Sequence, residues 1–155
     1  MPGMTQAEPG PIRRFDHVGI TVSDLDAATT FFVRLGLVPD GAPMTVEGTF
    51  LDTVIGMSGA CTRIVMLRAP DGGTSVELSS FVRPDHLPAP RQAPVTEPGL
   101  RSIAFEVDDL HDTVERLAAD GFGLVGGIGR HEDTWLMAYV RGPDAIVVAL
   151  AQRLR

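Results

Sequence analysis

His17 and Glu77 are the side chains whose types and setting could do chemistry together. An imidazole can carry a proton near neutral pH or ligate a metal, and a carboxylate can act as base or as ligand. Each lies in a run of alternating apolar and polar residues, His17 in FDHVGITV and Glu77 in TSVELSS, so each projects from a strand. What singles them out is that the chain says nearly the same thing twice. Residues 15–37 and 100–122 share a strand pattern, an acidic helix start, a helix of similar length and a closing glycine, and residues 68–81 are echoed by residues 141–154. Along that alignment Ser102 answers His17 and Ala149 answers Glu77. The first copy keeps two potential metal donors and the second has lost both.

The elements that must position these residues follow from periodicity. Residues 14–22 alternate with Val18, Ile20 and Val22 on one face, and His17, Gly19 and Thr21 on the other. A helix follows, with Ser23 as expected N-cap, Asp24 and Asp26 at its positive end, a stripe of Leu25, Ala28, Phe32 and Leu35, and Gly36 to end it. Strands are expected over 44–48, 62–68 and 74–82, the last two joined by a Pro-Asp-Gly-Gly turn. Residues 49–59 read as a short excursion without a counterpart in the second copy. That copy repeats the order: a strand over 101–107, a helix capped by Asp108 and closed by Gly121, and strands over 124–128, 134–141 and 145–151. The fold class is therefore α+β, two βαβββ modules in tandem. The boundaries are a disordered tail at 1–12, a first module at 13–82, a Pro-rich linker at 83–99 and a second module at 100–152.

A βαβββ unit covers one side of its sheet with its helix and leaves the other concave. His17, Gly19, Thr21, Ser75, Glu77 and Ser79 are expected to line that hollow from the first module. Ser102, Ala104, Glu106, Val147, Ala149 and Ala151 are expected to do so from the second. Trp135, Met137 and Tyr139 alternate along one strand face and are read first as core, with a wall for a flat ligand as the alternative. Arg101 and Arg141 flank strand ends, where they could meet a substrate carboxylate or phosphate.

Composition narrows the partners. A chain of 155 residues with 44% hydrophobic and 21% charged residues is ordinary for a soluble protein, and no apolar run approaches the about 20 residues of a membrane span. A formal net charge of -7 would repel a phosphate backbone, so neither nucleic acid nor membrane is expected as a partner. With no export signal and a lone Cys61, a cytoplasmic location is the expectation.

The strand opening Asp16-His17-Val18 that runs on to Asp24-Leu25, with Pro70-Asp71-Gly72 ahead of Glu77-Leu78 and the whole pattern doubled, resembles the vicinal oxygen chelate superfamily. That group includes glyoxalase I, methylmalonyl-CoA epimerase, extradiol dioxygenases, and fosfomycin and bleomycin resistance proteins. The resemblance implies the glyoxalase/bleomycin resistance/dioxygenase fold and, in its enzymes, a divalent metal (zinc, nickel, manganese or iron) held by four ligands from the first and last strands of each module. Carried onto this chain, those positions fall on His17, Glu77, Ser102 and Ala149. Only His17 and Glu77 carry suitable donors, because alanine has none and a serine hydroxyl is a poor ligand for such ions. Either the site is rebuilt with Glu106, His131, Glu132 or Glu47, or the cleft works without a metal.

Three functions follow from the resemblance. The first is a glyoxalase- or epimerase-like lyase or isomerase using Glu77 and His17. The second is a metal-free ligand-sequestering protein of the bleomycin-resistance type, and the third an extradiol dioxygenase. A small-molecule ligand and a homodimer are implied in each case.

Overall fold

The computed structural model describes residues 10–88 and 91–154. Most of the tail expected over 1–12 and two positions of the expected linker lie outside the described residues. The first strand, β1 (His17–Thr21), leads into α1 (Leu25–Leu35). Asp24, rather than the expected Ser23, caps α1 by accepting the amide of Ala27 at 3.0 Å. Ser23 is drawn elsewhere: its amide and hydroxyl both donate to the Asp144 carboxylate, at 2.9 and 2.6 Å. Gly36 ends the helix at φ 124, with its amide on the carbonyls of Phe32 and Val33.

The chain then forms β2 (Val38–Pro39) and β3 (Met44–Glu47), which both pair antiparallel with β4 (Cys61–Arg68). They behave as one edge strand interrupted at residues 40–43, where Gly41 and Pro43 break the ladder. Between β3 and β4 the excursion is a short helix, α2 (Thr49–Ile55). β5 (Ser75–Arg83) pairs antiparallel with β4 and parallel with β1, which gives the sheet order β1-β5-β4-β2 with β3 also on β4.

The second half repeats the plan. β6 (Ile103–Glu106) lies parallel to β9 (Val147–Arg153), and β8 (Trp135–Arg141) runs antiparallel to it, in the order β6-β9-β8-β7. The expected strand at 124–128 is reduced to a single bridge between Leu124 and Val140, because Gly126 and Gly127 lose more backbone freedom than other residues on being extended and bring no side chain to pack. Its place is taken by β7 (Gly129–His131). α3 (Leu110–Ala119) is capped by Asp109, one residue beyond Asp108, through the amide of Asp112. Gly121, at φ 94, follows its end.

One core serves both halves. Leu25, Ala28, Phe31 and Phe32 of α1 join Leu67, Val76 and Leu78 of the first sheet, and the same cluster continues into Leu110, Leu117, Val140, Val148 and Leu150. The Phe31 ring meets Phe32 and Phe122 edge to face, with centroids 5.0 and 4.8 Å apart. Arg34 of α1 pairs with Asp120 beyond α3 at 2.8 Å. With their helix faces sealed in this way, both sheets turn their other faces outward.

Candidate functional site

On β1 the core side is Val18 and Ile20, and in the parallel register with β5 His17 stands beside Ser75, Gly19 beside Glu77 and Thr21 beside Ser79. Residues abreast in a sheet share a face, so these six lie opposite the buried Val76 and Leu78. Gly19 is what opens the hollow: with no side chain between them, His17 reaches Glu77 across the strand pair, Nε2 to Oε2 at 3.4 Å. The other ring nitrogen, Nδ1, lies 2.7 Å from an Asp16 carboxylate oxygen, and Ser79 Oγ stands 3.5 Å from Glu77 Oε1. Asp16 is held in turn by Arg14 at 2.7 Å. The hydrogen bond from His17, and secondarily the charge of Arg14, hold the Asp16 carboxyl below its usual 3.8.

The result is a row of Asp16, His17, Glu77 and Ser79 in which the imidazole is gripped at both nitrogens. His17 and Glu77 are partly covered, their side chains 35% and 27% exposed, so the pair is reachable yet sheltered. Asp16 was not among the expected site residues. Strand alternation assigns it to the opposite face from His17, but it precedes the first paired residue of β1 and its side chain is free to swing back. A carboxylate immediately before a strand-initial histidine was the available signal.

The second sheet repeats the register with different side chains. Ala104 stands beside Ala149 as Gly19 stands beside Glu77, and Ser102 precedes the strand where His17 begins β1. Tyr139 is abreast of Ala149 and Met137 of Ala151, so Trp135, Met137 and Tyr139 occupy this outward face. Their first reading as core is corrected: Ala138 and Val140, the alternate residues, are the buried ones. Two of these aromatics carry arginines, with the Arg153 guanidinium 4.5 Å above Trp135 and that of Arg101 6.0 Å from the Tyr139 ring centroid.

None of the candidate replacement ligands gathers with His17 and Glu77. Glu47 pairs with Arg83 at 2.9 Å and borders the buried Cys61, whose thiol is pushed up by burial and by a hydrogen bond to Glu47. Glu106 faces Arg153 at 3.6 Å, while His131 and Glu132 are exposed at the turn from β7 into β8. Among the described residues no group of three or more His, Cys, Asp or Glu side chains comes together as a metal site would require. His17 and Glu77 alone offer two donors, and the positions that would complete the set are Ser102 and Ala149, so these residues do not fit a four-ligand transition ion.

A cavity of about 960 Å³ runs along the seam where the edges of β1 and β6 face each other. Gly19, Thr21 and Ser75 border it from the first sheet and Ala104, Glu106 and Val147 from the second, with Arg101 and Arg141 among its polar groups. The two outward faces thus open on a shared hollow, and the His17–Glu77 pair flanks it from the strand positions next to Gly19 and Ser75.

The family model for the Glyoxalase/Bleomycin resistance protein/Dioxygenase superfamily matches residues 16–139. A glyoxalase family protein from Bacillus cereus is similar at 35% identity and a TM-score of 0.89, over 97% of this chain and 100% of that one. A glyoxylase/bleomycin resistance protein/dioxygenase domain from Frankia is 20% identical with a TM-score of 0.62, over 92% and 98% of the two chains. A glyoxalase/dioxygenase from Nostoc punctiforme, also 20% identical, has a TM-score of 0.58 over 96% and 97%. The last two likenesses show the fold alone. No curated protein matches the chain.

Proposed function

From the premise that this chain belongs to the Glyoxalase/Bleomycin resistance protein/Dioxygenase superfamily, we propose that it is an isomerase or lyase working by proton transfer at a small oxygenated metabolite. Glu77 is the base and His17 the proton carrier. The observation that carries this reading is the imidazole fixed between two carboxylates, 2.7 Å from Asp16 and 3.4 Å from Glu77, on a face with access to solvent. An Nδ1–H donated to Asp16 leaves Nε2 as the working nitrogen, a tautomer assigned from the hydrogen bond. In the proposed step Glu77 takes a proton from a carbon next to a carbonyl. Glu77 passes that proton to Nε2 of His17, 3.4 Å away, and His17 delivers it to the neighbouring oxygen, which moves the double bond. Neither event asks for the four-ligand ion that this donor set does not suit.

The test is deuterium exchange. Purified protein in D2O is incubated with a panel of α-hydroxyketones, 2-oxoacids and acyl thioesters, and their α-protons are followed by NMR. Enzyme-dependent exchange that drops at least about a hundredfold in Glu77→Gln and His17→Ala is expected, in keeping with the usual yield of general acid–base groups. Exchange unaltered in Glu77→Gln refutes the assignment.

One observation favours a second reading, sequestration of a ligand without turnover: His17 and Glu77 flank the large seam cavity rather than line it. Tight binding with no exchange across the panel would select that reading. The extradiol dioxygenase reading is the weakest, since an iron site of two histidines and one carboxylate needs a second imidazole, and His131 lies in an exposed strand at the far edge of the second sheet. A homodimer is proposed with it, supported by the exposed Met44, Phe50, Val54 and Met57 around α2, an apolar cluster that a second copy would cover. No described helix is long and apolar enough to cross a membrane.

A further inference from the structure

We propose that the seam cavity holds an extended organic anion, its negative group clasped by Arg101 and Arg141 at the end away from His17; this rests on the small-molecule reading above and names the ligand class. Three arginines and four carboxylates border the cavity, and most of them are committed. Arg91 pairs with Glu97. Asp144 accepts two hydrogen bonds from Ser23, Asp71 accepts the amide of Gly73 at 2.9 Å, and Glu106 faces Arg153. Arg101 and Arg141 have no carboxylate within 4.0 Å among the described residues. Asp144 and Asp71 keep their charge, since their donors are neutral, so what marks the site is position: two guanidinium groups stand at one cavity with no carboxylate in ion-pair contact, where a negative ligand would find its complement.

Both arginines are also held in place. Arg141 donates from one terminal nitrogen to the Ala93 carbonyl at 2.8 Å, which leaves its remaining N–H groups for a ligand. Arg101 rests over Tyr139, and Tyr139 lies two residues from Arg141 on the same face of β8, about 7 Å along the strand. Two guanidinium groups at that spacing suit one carboxylate or phosphate gripped from two sides, with the tyrosine ring beneath an adjoining flat or apolar portion.

The position along the seam follows from the Ser23–Asp144 bonds. They tie the turn between β8 and β9, close to Arg141, to the residues just past Thr21, so the arginines stand at the far end of β1 from His17. His17 and Thr21 are four residues apart, or about 13 Å of strand. A ligand reaching from the clasp to the proton-transfer pair is therefore elongated, with its reacting carbon on the order of 10 Å from its anionic group.

The test uses two dyes of nearly the same skeleton, 1-anilinonaphthalene-8-sulfonate and the uncharged N-phenyl-1-naphthylamine, titrated by fluorescence. The sulfonate is expected to bind at least about tenfold tighter, as a charge-assisted hydrogen bond allows. Arg101→Gln and Arg141→Gln should each erase that preference, Arg141→Lys should keep most of it, and circular dichroism checks that each variant is folded. Phe50→Ser, in the apolar cluster on α2, should leave the titration unchanged. Competition by phenyl phosphate and by benzoate then decides which group is held. Equal binding of the two dyes, loss of signal in Phe50→Ser instead of the arginine variants, or failure of both competitors overturns the proposal. Because the dyes report binding without turnover, these results are independent of whether Glu77 and His17 move protons.

Discussion

Gly142→Ala tests the claim that one core unites the two copies, because the new methyl would enter the first copy from a turn of the second. A Cβ built on Gly142 would lie 2.8 Å from Phe31 Cζ, 3.0 Å from Cε1 and 3.3 Å from Cε2. Carbon atoms in comfortable contact stand about 3.5–4.0 Å apart, so the ring must retreat by roughly 1 Å. It has nowhere to go: Phe31 is 3% exposed and wedged edge to face between Phe32 and Phe122. The backbone at Gly142, φ -92 and ψ -160, is open to alanine, so the penalty is overpacking alone. We expect a loss of about 2 kcal/mol, within the usual range for an extra methyl in a packed core. For a chain of this length that is a fall in Tm of roughly 4–8 °C. Phe31→Leu removes the three ring atoms that the methyl strikes, at a cost of its own of about 1–2 kcal/mol. In that background Gly142→Ala should cost almost nothing, a coupling of about 2 kcal/mol. Urea unfolding followed by far-UV circular dichroism and by fluorescence of Trp135, the sole tryptophan, supplies all four corners of the cycle. If the two changes add to within about 0.5 kcal/mol, the turn does not press on the helix and the shared core is wrong.

The turn after β8 yields a second prediction. Asp144 and Ala145 both take left-handed backbone, at φ 55 and φ 60, the pair of conformations a type I′ turn demands. Ala145→Gly should gain about 0.5–1 kcal/mol in a thermal or urea melt by removing that strain. Asp144→Gly, at the same kind of φ, should lose stability, because the carboxylate that anchors Ser23 goes with it; a gain there would undo the account of the Ser23 contact. Asp16 sets a pH dependence of definite sign. Its folded carboxyl is more acidic than the unfolded one, so its contribution is present above the ordinary value of 3.8 and disappears as pH falls through the lower folded value. Calorimetry of wild type and Asp16→Asn should show a gap in Tm at about pH 6 that narrows as pH falls below 3.8, and a gap that stays constant would contradict the His17 bond.

Much of this was readable from the sequence, for reasons that differ between positions. The face assignment of β1 followed from strict alternation, since a strand has only two sides and Val18 and Ile20 could take only one of them. Glu77 was found beside His17 because the duplicated frame supplied what a single strand lacks, a second register against which to read it. Alternation could not say which face of β8 was inward, and large aromatics were the obvious candidates for core. The small residues won: Ala138 and Val140 leave room for α3 and the shared core beneath the sheet, while Trp135 and Tyr139 go outward, where arginines cover them. The caps of α1 were ambiguous for a similar reason. Ser23 and Asp24 are both good N-caps, and the choice fell to a contact with Asp144, over a hundred residues away, that no local pattern encodes.

The same logic explains how the two copies came to differ in chemistry without differing in fold. What both must keep is on the helix side: alternate apolar residues on the strands, an aspartate cap and a closing glycine, all of which serve the common core. The outward face of each strand pair is free of that demand, so His17 and Glu77 can be replaced by Ser102 and Ala149 at no cost in packing. Indeed Ala149 is only 5% exposed, in a position where an unpaired carboxylate would be costly to bury. Beside it stand Tyr139 and Ala104, and near them the uncommitted Arg101 and Arg141. The second sheet therefore offers shape and positive charge where the first offers proton-carrying groups. Such a division suits a ligand held at one end and altered at the other, which a symmetric site with two donors from each half would not favour.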